Sequence, residues 1–193
     1  MANTSRINGF RLVKQLSGVD IQINQYYVPA SDGTALYIGD PVKLAGDADP
    51  TNGMSPTITR AAAGDQIVGI VVGFAFDPTN LNVSNQARLA STARYAYVCD
   101  DPYAVYEVET SNGTLTSVDI GLNINHAVGT PNATTANSGA TVDAGTKATT
   151  ATLTFKLIGF SSRVDNDDTA ASSKVYVKCN NHVYNSGTGT TGT

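Results

Sequence analysis

The stretch AAAGDQIVGIVVGF, residues 61–74, is the most apolar passage of the chain and admits few structures. It carries glycines at 64, 69 and 73. Gly64 and Gly69 have the spacing of a phosphate loop. Such a loop next needs a lysine and a hydroxyl for phosphate and metal, and here Ile70 and Val71 follow. The glycine-rich fingerprint of a dinucleotide fold is missing too. The run also falls short of the roughly 18–20 apolar residues that span a bilayer as a helix. What remains is a turn at Ala63-Gly64-Asp65 opening a buried strand from about Gln66 to Phe76. Gly69 and Gly73 are then places of bending or close packing. A second apolar run, KLIGF, also ends in Gly-Phe, and Gly159 is expected to bend its strand in the same way.

The same grammar recurs along the chain. VDIQINQYYV alternates with a period of two, as does KVYVKC, which puts Val175, Val177 and Cys179 on one face and Lys174, Tyr176 and Lys178 on the other. Turn chemistry separates such runs at Gly39-Asp40-Pro41, Asp100-Asp101-Pro102 and Asn112-Gly113. Charged residues make up only 15% of the chain, too few to clothe long amphipathic helices. The expected fold is all-β: a single β-sandwich or β-barrel-like domain with an extended N-terminal arm and long polar loops. Residues 1–19 form the arm, 20–184 the β-rich domain and 185–193 a disordered tail. Within the domain, 46–56 is expected as a loop, the polar run 77–93 as a short helix or an irregular excursion, and the Thr-rich stretch 130–152 as a long surface excursion with a short hairpin.

The formal net charge of −4 argues against wholesale neutralisation of nucleic-acid phosphates. Yet residues 1–19 hold Arg6, Arg11 and Lys14 and no acid, as an interaction arm on an acidic body would. Its spaced apolar residues are Ile7, Phe10, Leu12 and Val13. Catalytic patterns are wanting. Cys99 and Cys179 lie in apolar strand-like runs and are expected as buried free thiols, with a disulfide left open. His126 and His182 have no metal-ligand spacing and are expected as hydrogen-bonded or surface imidazoles. Asp165, Asp167 and Asp168 form an acidic loop that lacks the glycine and terminal Glu of a helix-loop-helix calcium site. No serine sits in a nucleophile elbow. No catalytic residue, metal or cofactor is assigned.

The segments MANTSRINGFR, ALYIGDPVKLAG, AAAGDQIVGIVVGF and KVYVKCNNHVY together resemble the head decoration, or cement, proteins of tailed bacteriophages. The likeness runs from residue 1 to about 184 and is loose over 130–152. It implies a non-enzymatic structural protein of the virion, on the outside of the capsid, whose partner is the major capsid protein. It also implies a homo-oligomer, with a trimer favoured over a dimer, and no nucleic-acid or membrane partner. In that setting Ile7, Phe10, Leu12 and Val13 are the expected apolar anchors, and Arg6, Arg11 and Lys14 the charges that meet an acidic capsid surface.

Two other functions fit an all-β chain. A head-fibre or tail protein binding host carbohydrate would use Tyr26, Tyr27, Tyr95, Tyr97, Tyr103 and Tyr106 as a sugar platform. A small virion-associated hydrolase is the second alternative, and it has no motif in its favour.

Overall fold

The computed structural model describes residues 3–77, 86–132, 134–185 and 189–192. These form 14 strands and two 3-10 turns, with no α-helix among the described residues. In chain order the first strands are β1 (Arg11–Gln15), β2 (Ile23–Val28), β3 (Leu36–Tyr37), β4 (Pro41–Ala48) and β5 (Pro56–Arg60). Then come β6 (Gly69–Phe74), β7 (Ala87–Arg88), β8 (Arg94–Cys99) and β9 (Ala104–Ser111). The last are β10 (Asn123–Ile124), β11 (His126–Ala127), β12 (Thr141–Asp143), β13 (Phe155–Phe160) and β14 (Lys174–Cys179). The chain is all-β, as its short alternating runs require.

Five strands close a barrel in the order β2-β5-β4-β6-β8, with β8 returning to pair with β2. All its pairings are antiparallel except β2 with β5. A second, seven-stranded sheet runs β10-β13-β14-β9-β12-β11, with β1 added beside β9. Val28, Val42, Ile58, Val68, Val71 and Val98 fill the barrel. A larger core lies between the barrel wall and the second sheet. Ala61, Ile67, Ile70 and Cys99 face it from the barrel side, and Tyr106, Val108, Phe155, Leu157, Val175, Val177 and Cys179 from the sheet side. The Tyr106 hydroxyl crosses between the layers and donates to the Cys99 carbonyl at 3.1 Å.

The opening stretch sits where both cores meet. Gly64, with φ +82°, makes the turn, and the Asp65 carboxylate accepts from the Ala62 N–H at 2.8 Å. Regular strand begins only at Gly69; Ile67 instead bridges to His182. The two strand glycines have separate reasons. A Cβ on Gly69 would lie 2.0 Å from the Cys99 carbonyl oxygen, so β6 and β8 approach there as only glycine permits. At Gly73 the register shifts between Val71 and Gly73, a β-bulge. The second Gly-Phe run has the same shift between Leu157 and Gly159.

Three loop expectations change. The stretch 46–56 is partly strand, because β4 runs on to Ala48 after a break in register at Leu44. The polar run 77–93 contains the two-residue strand β7, and its residues 78–85 lie outside the described residues. The Thr-rich stretch 130–152 is not wholly a surface excursion: β12 pairs in parallel with β9, and Ala140, Val142 and Ala144 enter the inter-layer core. Small side chains let this segment lie close to its neighbours. In the closing segment, Thr190 bonds to Asn180 and Asn123, and the Gly192 N–H donates to the Thr149 carbonyl.

An arginine fixes the end of the barrel. Arg88 is fully buried, and its guanidinium donates to the carbonyls of Thr92, Thr34, Pro29 and Asp32 at 2.6–2.8 Å. Five N–H donors in a rigid fork suit this task, which a lysine could not copy.

Candidate binding surface

The cysteines and histidines singled out in the sequence are buried. Cys99 and Cys179 are both free and buried, and burial pushes both thiols up from their ordinary value. His126 and His182 are fully buried, and burial depresses both imidazoles. His126 Nε2 lies 3.1 Å from the Ala61 carbonyl, while His182 Nδ1 accepts from the Tyr184 N–H. No cluster of three metal-ligating side chains occurs among the described residues. In the acidic loop, Asp167 accepts from Thr169, and Asp165 lies 3.8 Å from Arg6.

The tyrosines form no shared platform. Tyr26 and Tyr106 are buried. Tyr26 donates to Asp100 at 2.8 Å, in a cluster where Asn24 also donates to that carboxylate. Tyr27 and Tyr95 pack on one another at 5.4 Å, and the Tyr95 hydroxyl is held by Asp49. Only Tyr97 and Tyr103 of the six are exposed.

The N-terminal arm builds the most extensive surface feature. Residues 3–10 run extended across one face of the seven-stranded sheet and then pair as β1. The Asn3 side chain donates to the Asp167 and Ala171 carbonyls and accepts from the Asp167 N–H. Glu109 accepts from Ser5 Oγ at 2.7 Å, from the Arg6 N–H at 2.8 Å and from Lys174 Nζ at 2.7 Å. At Gly9, φ is +66°, and a Cβ there would meet Ser138 at 2.6 Å, so the arm passes against the body without room for a side chain.

This docking sorts the seven arm residues singled out in the sequence. Phe10 is 2% exposed, stacked on Phe155 at 4.5 Å and edge-on to Tyr106. It belongs to this chain's own core, which removes it from the set of free anchors. Leu12 is half-buried against the same core. Arg6, Ile7, Arg11, Val13 and Lys14 are exposed. Val13 faces out by alternation after the inward Leu12, and the register shift between Leu12 and Lys14 brings Lys14 to the outer face as well. With Leu16, Val19 and Ile23 these side chains make an apolar series exposed by 40–64% along the first 23 residues.

Sequence reasoning did not find the charges under the arm. Glu107 accepts from Arg163 through Nε at 2.8 Å and Nη2 at 2.7 Å, and from Ser161. Burial opposes its ionisation, but the Arg163 and Ser161 hydrogen bonds outweigh it and hold the carboxyl below its ordinary value. A groove of about 790 Å³ lies over these residues, walled by the arm and the 161–173 loop. The signal was present in part: AVYEVE alternates apolar and acidic, and KVYVK alternates apolar and basic. Only the pairing of β9 with β14 shows that the two polar faces coincide.

Among known proteins, no family model matches this chain, and neither a curated protein nor a solved structure matches it.

Proposed function

We propose that this chain is a decoration protein of a tailed-bacteriophage head. It binds the outer surface of the assembled capsid as a homo-oligomer, makes its contact through the N-terminal arm and the β1 edge, and stabilises the head without catalysing a reaction. The resemblance of its segments to such proteins supplies the partner. The observation that carries the reading is the exposed apolar series Ile7, Val13, Leu16 and Val19 on a docked arm, continued by Ile23 at the start of β2. Large apolar side chains left exposed one after another along a segment tied to the body support a contact site there. Repetition on a symmetric lattice multiplies modest single contacts.

Co-sedimentation with mature empty capsids tests it. The protein is expected to pellet with them and to raise their heat resistance. Val13→Asp with Leu16→Asp is expected to weaken binding at least tenfold while leaving the fold intact, because both side chains face solvent. A protein that stays in the supernatant at low and moderate salt overturns the reading. Clear hits on a glycan array would favour the carbohydrate-binding alternative.

A further inference from the structure

The outer face of the seven-stranded sheet carries a row of like charge. Antiparallel register places Lys14 opposite Val105, Val105 opposite Lys178, and Lys178 opposite Lys156. Directly opposed residues share a face, so three lysines project on the same side along one line across β1, β9, β14 and β13. Adjacent strands lie about 4.8 Å apart, so Lys178 and Lys156 are neighbours and Lys14 stands about 10 Å from Lys178.

Among the described residues none of the three is ion-paired with a carboxylate. Lys14 makes no hydrogen bond or ion pair among the described residues. Lys178 Nζ sits 5.4 Å over the Tyr103 ring. Lys156 donates to the Gly121 and Thr191 carbonyls, and burial followed by the charge of Lys178 depresses its ammonium. Two residues further along the strands the pattern changes. Glu107 is matched to Arg163, and Glu109 to Lys174. The two carboxylates of this face are thus matched by cations, while the lysines of the row are not matched by carboxylates. Like charges directly opposed on a sheet are destabilising, so the arrangement costs the free protein stability that a bound anion would restore.

We infer that the Lys14–Lys178–Lys156 row docks a short carboxylate-rich segment of the protein that this chain binds, which on the reading above is the capsid protein. An extended phosphate backbone fits less well. The body is acidic, with a formal net charge of −4, so a long polyanion would meet repulsion beyond the row. Two or three carboxylates match the row and end where it ends. Lys14 is also adjacent to Val13, so charge and apolar contact adjoin on one edge.

The test uses the full chain and the double variant Lys14→Gln with Lys178→Gln, with Lys43→Gln, whose partner is Asp65 on the barrel, as the control. Near-UV circular dichroism and the melting temperature first establish that each is folded. Capsid affinity at 50 mM salt is expected to fall about tenfold in the double variant, at a few-fold per exposed ion pair, and not in the control. The affinity of the double variant should also depend less on salt. In parallel, fluorescence anisotropy with labelled hexaglutamate should show binding to the wild type that the double variant loses. If the wild type sediments with capsids and the double variant does so equally at every salt concentration, this inference is overturned and the capsid reading stands. If the wild type fails to sediment at all, the capsid reading falls, and hexaglutamate binding still decides the chemistry of the row. Tighter binding of oligothymidylate than of hexaglutamate would assign the row to phosphate and overturn the inference.

Discussion

Replacing Phe10 by Ala separates two views of the N-terminal arm. If the arm were a free tether, Phe10 would be an anchor for the partner, and its loss would weaken binding only. The structure makes it an internal staple: 2% exposed, stacked on Phe155 and edge-on to Tyr106. A phenylalanine buries about 150–250 Å², which at about 25 cal/mol per Å² corresponds to about 4–6 kcal/mol. Alanine keeps part of that area, and the unfolded chain already hides some, so the expected loss is about 3–5 kcal/mol. That is a large share of the 5–15 kcal/mol typical of a whole domain. The chain has nine tyrosines and no tryptophan, so urea unfolding is best followed by tyrosine fluorescence and circular dichroism together. Ile7→Ala, at a site 40% exposed, is the comparison and is expected to cost less than about 1 kcal/mol. If the two variants unfold within 1 kcal/mol of each other, the arm is detachable and its assignment to the core is wrong. The same reasoning disqualifies deletion of the arm as a binding test, since removing it would also open the core.

Two further outcomes follow from particular groups. Gly69→Ala places a methyl group against the Cys99 carbonyl and is expected to destabilise by about 3 kcal/mol, whereas Gly73→Ala, whose Cβ would rest 3.9 Å from Tyr97, should be neutral or stabilising by a few tenths; thermal melts of the pair decide this. For pH, both buried histidines have imidazoles depressed by burial, so the unfolded chain binds their protons first. Their contribution is complete above the ordinary histidine value near 6.5 and is lost as pH falls below it, by up to about 1.4 kcal/mol per pH unit for each. Urea midpoints should therefore drop from pH 7.5 to pH 5.5, and a midpoint flat over that range would show that the imidazoles stay accessible to protons in the fold.

Much of the architecture was legible because strand periodicity is local. Val175, Val177 and Cys179 face the core as alternation demands, and the turn at Gly64 stands where glycine and aspartate put it. What escaped notice depended on partners distant in sequence. Ala140, Val142 and Ala144 reach the core from a segment whose small residues carry little hydrophobic signal. Along the arm, Phe10 and Val13 look alike as isolated apolar residues, and only packing against distant partners separates them: Phe10 stacks on Phe155 while Val13 faces solvent. Nothing in the sequence near Arg88 announces the four carbonyls that surround it. The lysine row likewise exists only after three separate pairings align Lys14, Lys178 and Lys156.

The wall that β6 and β8 form between the two cores ties their fates together. Val68, Val71 and Val98 pack inside the barrel, while Ile67, Ile70 and Cys99, their immediate neighbours in the chain, pack against the sheet. Neither layer can open without stripping the shared strands of apolar contact on their other side. The barrel and the sheet thus form a single cooperative unit instead of two units joined by a hinge. On the proposed function, a pull applied at the arm by the lattice passes through Phe10 into the inter-layer core, and from there through these strands into the barrel. The molecule should bear such a load as a whole up to the point where it unfolds entirely.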